Sequence, residues 1–265
     1  MIRITGAFLF LLSMLPQRFA AQSCTQANFS TTHGERLDYK INYTLAGAYI
    51  GAGETRFTNR LETLDGQPVW HVMGQGRTFP SYDWFFKVRD TYESYIDTLS
   101  MKPRRFVRNV SEGGNRIYNR VLFDHARGSA VSTNGVFPIG PCVQDVLSVI
   151  YHARNIDFSK YTPGQKIPLE LFLDDKVWPV YIRYLGRETL HTMYGDYRTI
   201  KFRPLLIEGT IFRGGEKMEV WVTDDANRVP VFVHTPILVG SIKAYLRDYA
   251  GLRNAATGII RQKKS

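Results

Sequence analysis

The sequence predicts a mainly β protein: a large curled antiparallel sheet, or a partly open barrel or sandwich, packed against one main α-helix at about residues 141–157. Three observations predict it. Segment after segment alternates apolar and polar residues with a period of two, the pattern of half-buried strands. Turn formers such as Asp65-Gly66, Gly113-Gly114 and Asn134-Gly135 separate these segments at short intervals. Only one internal stretch departs from the pattern, with Val143, Val146, Leu147, Ile150 and Tyr151 forming one apolar stripe at helical spacing. A lone amphipathic helix among strands must be covered by them, so the sheet is expected to curl over it. The helix is then a strut, and also the floor of a pocket if the sheet stands away from it.

The elements follow in order. Residues 36–44 place Leu37, Tyr39, Ile41 and Tyr43 on one face and Asp38, Lys40 and Asn42 on the other. The Gly/Ala-rich stretch 46–53 predicts a bend or bulge where backbone approaches a neighbour. Strands over 56–61 and 69–74, joined by a turn, complete a meander. The most aromatic segment is 79–88, where Asp83 caps a short helical turn and Trp84, Phe85 and Val88 are either core under the sheet or an exposed apolar mouth for a ligand. In 89–97, Tyr92 and Ser94 face opposite to Glu93 and Tyr95. A hairpin over 106–110 and 116–123 is expected to project Arg104, Arg105, Arg108, Arg116 and Arg120 from one surface, and a second hairpin flanks Asn134-Gly135. On the helix, Pro141 suits the first position, Gln144 and Asp145 lie near the positive dipole end, and Arg154 lies near the negative end.

Beyond the helix, strands are expected over 167–173, 178–184, 197–203, 207–212, 218–222, 229–234 and 241–249. Asp174-Asp175 read as turn chemistry rather than a metal site, and Pro230 marks an edge or a bulge. The two β halves, 36–139 and 165–249, belong to a single domain over 22–250, followed by a basic tail, 251–265, expected to fray.

With 265 residues and 44% hydrophobic side chains the chain has ample material for a core. Its formal charge of +10 is spread over many strands, without the basic stripe or recognition motif of a nucleic-acid binder. Arg3, the apolar run from Ile4 to Leu15 and the small residues Ala20 and Ala21 read as a secretory signal over 1–21, too short to span a bilayer, and no later segment is long enough to do so. Export allows Cys24 and Cys142, the chain's 2 cysteines, to form a disulfide between the mature N-terminus and the helix, or else Cys24 to carry a lipid. The location implied is the periplasm or cell envelope, with a lipid-anchored form as the lesser alternative.

Chemistry is less legible. The 6 histidines show no zinc-ligand spacing, and there is no Gly-x-Ser-x-Gly elbow, Walker loop or dinucleotide fingerprint. No metal, cofactor or catalytic residue is assigned, and the sequence leans away from an enzyme. Arg89, Tyr92 and Tyr95, in the dense polar run 89–95, join Trp84 and Phe85 as candidate ligand-binding residues. Arg89, Asp90 and Glu93 read equally as an ion-pair network fixing the sheet.

Several motifs carry a resemblance: Gly34-Glu35-Arg36-Leu37-Asp38-Tyr39, the run 89–97, Val143-Gln144-Asp145-Val146-Leu147-Ser148, and Val220-Trp221-Val222-Thr223-Asp224-Asp225 with its continuation to Val231. In this order they resemble the uncharacterised bacterial envelope family called domain of unknown function 3108, over nearly the whole mature chain. The resemblance implies export, antiparallel β architecture and no settled activity. Cys24 followed by Cys142 is similar to the pattern of its Bacteroides-type members, which favours the disulfide over lipidation. The leading expectation is an exported non-enzymatic protein binding an apolar or lipid-like molecule in the concave face of the sheet. The alternatives are a scaffold recognising an envelope protein or glycan through its arginine face, and a hydrolase built on Asp90, Glu93 and Asp97.

Overall fold

A computed structural model describes residue 24 and residues 26–45, 48–208 and 214–263. The predicted leader, 1–21, and most of the strand expected over 207–212 lie outside the described residues. Sixteen described strands follow one another: β1 (Arg36–Leu45), β2 (Ala48–Leu64), β3 (Gln67–Thr78), β4 (Arg89–Asp97), β5 (Pro103–Glu112), β6 (Asn115–Asp124), β7 (Ser129–Ser132), β8 (Gly135–Pro138), β9 (Val143–Gln144), β10 (Lys166–Leu173), β11 (Lys176–His191), β12 (Gly195–Pro204), β13 (Glu219–Thr223), β14 (Pro230–Pro236), β15 (Ser241–Ala250) and β16 (Ile259–Gln262). Two α-helices interrupt them, α1 (Pro80–Asp83) between β3 and β4 and α2 (Ser148–Arg154) after β9.

All sixteen belong to one sheet, in the order β8-β7-β6-β5-β4-β3-β2-β1-β15-β14-β13-β12-β11-β10-β9, with β16 added on β12. Neighbours are antiparallel except β9 and β10. The chain lays down one half of the sheet from β1 outwards to β8 and returns through β15 to pair with β1. The predicted mainly β class, an open curled sheet over very few helices, is what the chain forms.

Twist brings the two ends of the sheet face to face. Phe172 of β10 meets Phe123 of β6 and Phe137 of β8, with ring centroids 5.8 and 6.1 Å apart. At the β10–β11 tip Asp174 pairs with Arg108 at 2.6 Å, and Asn134 donates to Asp175 at 2.6 Å. Asp174 and Asp175 adopt φ of 51° and 60°, as a tight hairpin requires. A side-chain seam therefore closes the curl, and Cys24–Cys142 lies beside it with Cα atoms 4.9 Å apart. A sulfur so bonded is not free to carry a lipid.

The helix differs from expectation. Only Ser148–Arg154 is α-helical; Val143–Gln144 has left to pair with β10. Asp145 explains the late start. Its carboxylate accepts from the N–H groups of Leu147 and Ser148 at 2.8 and 2.7 Å, while the Ser148 hydroxyl accepts from the Asp145 N–H at 2.8 Å, a reciprocal cap that fixes where the turn begins. Ser94 of β4 donates to the same carboxylate at 2.6 Å, so the cap also locks the helix to the sheet.

Leu147 and Tyr151 pack on Val72, Ile96 and Met101, whereas Ile156 and Phe158 pack on β10 to β13. Beneath the helix Arg154 and Glu35 form a bidentate pair, both contacts 2.7 Å, with side chains 2% and 1% exposed. Arg154 also donates to the Asn227 carbonyl at 3.1 Å, and Asn155 accepts from the N–H groups of Phe29 and Ser30. These contacts dock the polar lead onto the helix.

The tail is likewise held, against expectation: β16 pairs with β12, and Asn254 is tied to Asn227 and to the Phe29 carbonyl. Basic side chains that suggested fraying have a partner, since Arg261 and Lys263 lie 2.8 and 3.5 Å from Asp196. The lead around Phe29, the helix and β16 thus close one end of the curl.

Candidate functional site: an apolar channel inside the curl

Strand alternation assigns Leu37, Tyr39 and Ile41 of β1 to the inner face, opposite the Val146, Val149 and Ile150 side of the helix region. The two surfaces do not meet. Between them is a cavity of about 470 Å³, walled by these residues and by apolar side chains of β10 to β15. A second chamber of about 400 Å³ adjoins it at Ile41 and Thr55 and runs towards the end of β1 and the β14–β15 turn, past Tyr82, Phe85, Phe86 and Val239. Both volumes fall in the range of about 300–1,000 Å³ typical of small-molecule sites.

Small residues create the space. Gly76 and Ala244 stand at inner positions of β3 and β15 where a larger side chain would project into the channel. At Gly53 a Cβ would lie 2.2 Å from the Arg77 carbonyl, in keeping with the expected close approach, and the register shift beside it is the bulge. At Gly76 a Cβ would only touch the Thr55 hydroxyl at 3.6 Å, so glycine there preserves volume.

Polar groups on the lower wall are already engaged. Tyr39 donates to the Pro230 carbonyl at 2.8 Å, Tyr181 donates to Glu216, and Arg154 is taken by Glu35. In the upper chamber Asp90 accepts from the Ser111 N–H at 3.0 Å. Burial pushes its carboxyl up to about 7, opposed by that hydrogen bond and reinforced by the neighbouring Glu112. The raised pKa favours the neutral acid in this chamber, which suits an apolar occupant with a polar end.

The five candidate residues do not converge. Phe85 lines the upper chamber and stacks on Tyr43 with centroids 6.4 Å apart. Trp84 is 84% exposed, not tucked under the sheet, and lines neither chamber. Asp83 does not cap the start of α1, which begins at Pro80; its carboxylate instead receives Arg89 at 2.6 Å on the outer side. Tyr92 points inward towards Phe106, 6.3 Å between centroids, while Tyr95 points outward, stacked 4.2 Å from His71 with Arg105 3.7 Å above it.

The acids also separate. Asp90 faces in, Glu93 bonds His71 at 2.8 Å on the outer face, and Asp97 accepts from the Leu99 and Ser100 N–H groups to fix the β4–β5 turn. Three carboxyls so dispersed do not form the facing pair a glycosidase needs. The arginine face divides too: Arg108 turns inward to Asp174, whereas Arg105 and Arg120 line a shallow outer pocket with Tyr95 and Tyr118.

Residues 38–247 match the family model for DUF3108, proteins of unknown function. The chain belongs to that family. No curated protein matches it. Among solved structures it is similar to a β-barrel-like protein of the domain of unknown function DUF1849 from Brucella abortus, at 8% identity and a TM-score of 0.54, covering 84% of this chain and 98% of that one. A protein described as exported, with a YmcC-like fold, from Bacteroides fragilis aligns at 10% identity over 85% of this chain and 100% of that one, with a TM-score of 0.33. The first likeness supports the barrel-like curl. The disulfide of this DUF3108 member accords with an oxidising, extracytoplasmic compartment, and no helix among the described residues is long and apolar enough to cross a membrane.

Proposed function

We propose that this DUF3108 protein is an exported binding protein of the periplasm or envelope that holds an apolar, lipid-like chain inside its curled sheet. The observation that carries the reading is the unfilled apolar space between α2 and β1, joined at Ile41 and Thr55 to a second chamber. Interiors normally pack without voids, and a hollow of this size forgoes contacts along its entire wall. An aliphatic occupant would restore them, at about 0.8 kcal/mol per buried methylene before ordering costs. A polar ligand would find few unsatisfied groups in the lower chamber, because its tyrosines and Arg154 are already bonded.

Native mass spectrometry of protein purified without detergent, paired with titration of a fluorescent fatty-acid probe, tests this. The wild type is expected to carry an extractable amphiphile or to bind the probe at micromolar concentration. Ala244→Phe, which fills the lower chamber, is expected to weaken the probe at least about tenfold. The absence of both a co-purified ligand and probe binding in the wild type would reject the proposal.

A further inference from the structure

The upper chamber ends at a rim of unusual character. The end of β1, the start of β2, the segment after α1 and the β14–β15 turn converge there, since β1 pairs with both β2 and β15 and Phe85 stacks on Tyr43. These segments expose Leu45, Tyr49, Ile50, Trp84, Phe85 and Val239, with Trp84 84%, Val239 60% and Phe85 57% accessible. At the opposite end the helix, the segment around Phe29 and the segment around Asn254 cover the curl. Exposed large apolar side chains gathered on adjacent strand ends and loops are not the scattered exposure of an ordinary surface.

Charge at the rim is positive. Lys40 lies 4.6 Å above the Phe79 ring and Lys243 lies 5.6 Å from Tyr49, while Lys87 is exposed two residues beyond Phe85. Two nearby acids are paired, Asp83 with Arg89 and Glu54 with Arg77, while Asp90 and Glu112 line the chamber wall. Aromatic and aliphatic side chains projecting beside lysines, on a chain of formal charge +10, complement the interface of an anionic bilayer, where Trp and Tyr settle at headgroup depth and basic residues meet lipid charge. A protein partner would call for a flatter patch with a polar border.

We propose that this rim seats on an anionic lipid surface, placing the channel mouth against the membrane so that an amphiphile passes between bilayer and channel without crossing water. The proposal rests on the channel holding an apolar chain, but the two separate experimentally, because Ile50 and Trp84 line neither chamber.

The test is co-sedimentation of wild type, Ile50→Ser/Trp84→Ser and Ala244→Phe with phosphatidylglycerol and phosphatidylcholine vesicles, alongside probe titration in vesicle-free buffer. The wild type is expected to partition onto phosphatidylglycerol at least about tenfold better than onto phosphatidylcholine, with the difference collapsing in high salt. The rim variant is expected to lose about tenfold in vesicle partitioning while keeping its probe affinity, and Ala244→Phe to do the reverse. No sedimentation of the wild type, no preference for the anionic vesicles, or unchanged sedimentation of the rim variant overturns the proposal. Vesicle binding by a wild type that ignores the probe would leave the rim standing and remove the channel reading instead.

Discussion

Arg154 and Glu35 show how far a single residue's role can lie from its sequence neighbours. At the end of a helical stripe Arg154 reads as a partner for the helix dipole, and nothing local indicates a carboxylate 119 positions away. Its guanidinium is instead buried, and although burial favours the neutral form, Glu35 more than offsets this and raises the pKa. Removing one partner strands the other charge in the interior, a loss of about 3–5 kcal/mol. Urea unfolding of Arg154→Met should show it, whereas Arg154→Met/Glu35→Leu should recover much of the stability. Asp90 gives a pH signature. Its folded pKa, about 7, lies above the ordinary 3.8, so the native state takes up a proton relative to the unfolded chain. Its contribution to stability is greatest at low pH and declines as pH rises from about 4 through about 7. The stability difference between wild type and Asp90→Asn, followed by urea midpoint from pH 5 to 8, should therefore shift progressively in favour of the variant; a pH-independent difference would contradict the assignment.

Elements were legible wherever local chemistry decides them. The hairpins at Asp65-Gly66 and Gly113-Gly114 form where their turn residues stand, the third turns one residue earlier than expected, at Thr133-Asn134 with Gly135 paired to Ser132, and Pro230 sits at the register shift between β13 and β14. Tertiary pairing overrode local pattern elsewhere. Residues 143–144 have a helical stripe but gain two-sided burial by pairing with β10, and Asp145 then starts the helix late. The tail is basic and polar, yet Asp196 and Asn227 supply partners that no window of the tail could reveal. The Cys24–Cys142 bond joins the segment that docks through Ser30 to the strand at the seam. Its two cysteines are 118 positions apart, and removal of a disulfide from a domain commonly costs about 2–5 kcal/mol. Cys24→Ala/Cys142→Ala should unfold at lower urea and show faster amide exchange at Phe29 and Ser30 than the wild type. An unchanged midpoint with unchanged exchange would mean that the bond constrains nothing the fold does not already hold.

At the scale of the molecule, class and antiparallel pairing followed from alternation and turns, and the inner face of β1 was correctly composed from Leu37, Tyr39 and Ile41. The hollow was not legible, because it depends on where the curl brings β10 against β6 and on which small residues stand at its inner positions. Gly76 and Ala244 are unremarkable in sequence; at inner positions of β3 and β15 they leave room in the two chambers. The aromatic segment 79–88 illustrates the same division. Its richness was plain, but only the fold separates Phe85, on the chamber wall, from Trp84, on the outer rim. The central claim is that the channel is a binding site rather than a packing fault. Its most direct test is a crystal structure grown with a hexadecyl-chain amphiphile: continuous density along Ile41 and Thr55, with the polar end near Asp90, is the result expected. An empty channel at saturating amphiphile, or a collapsed one with the α2 face closed onto β1, would contradict it.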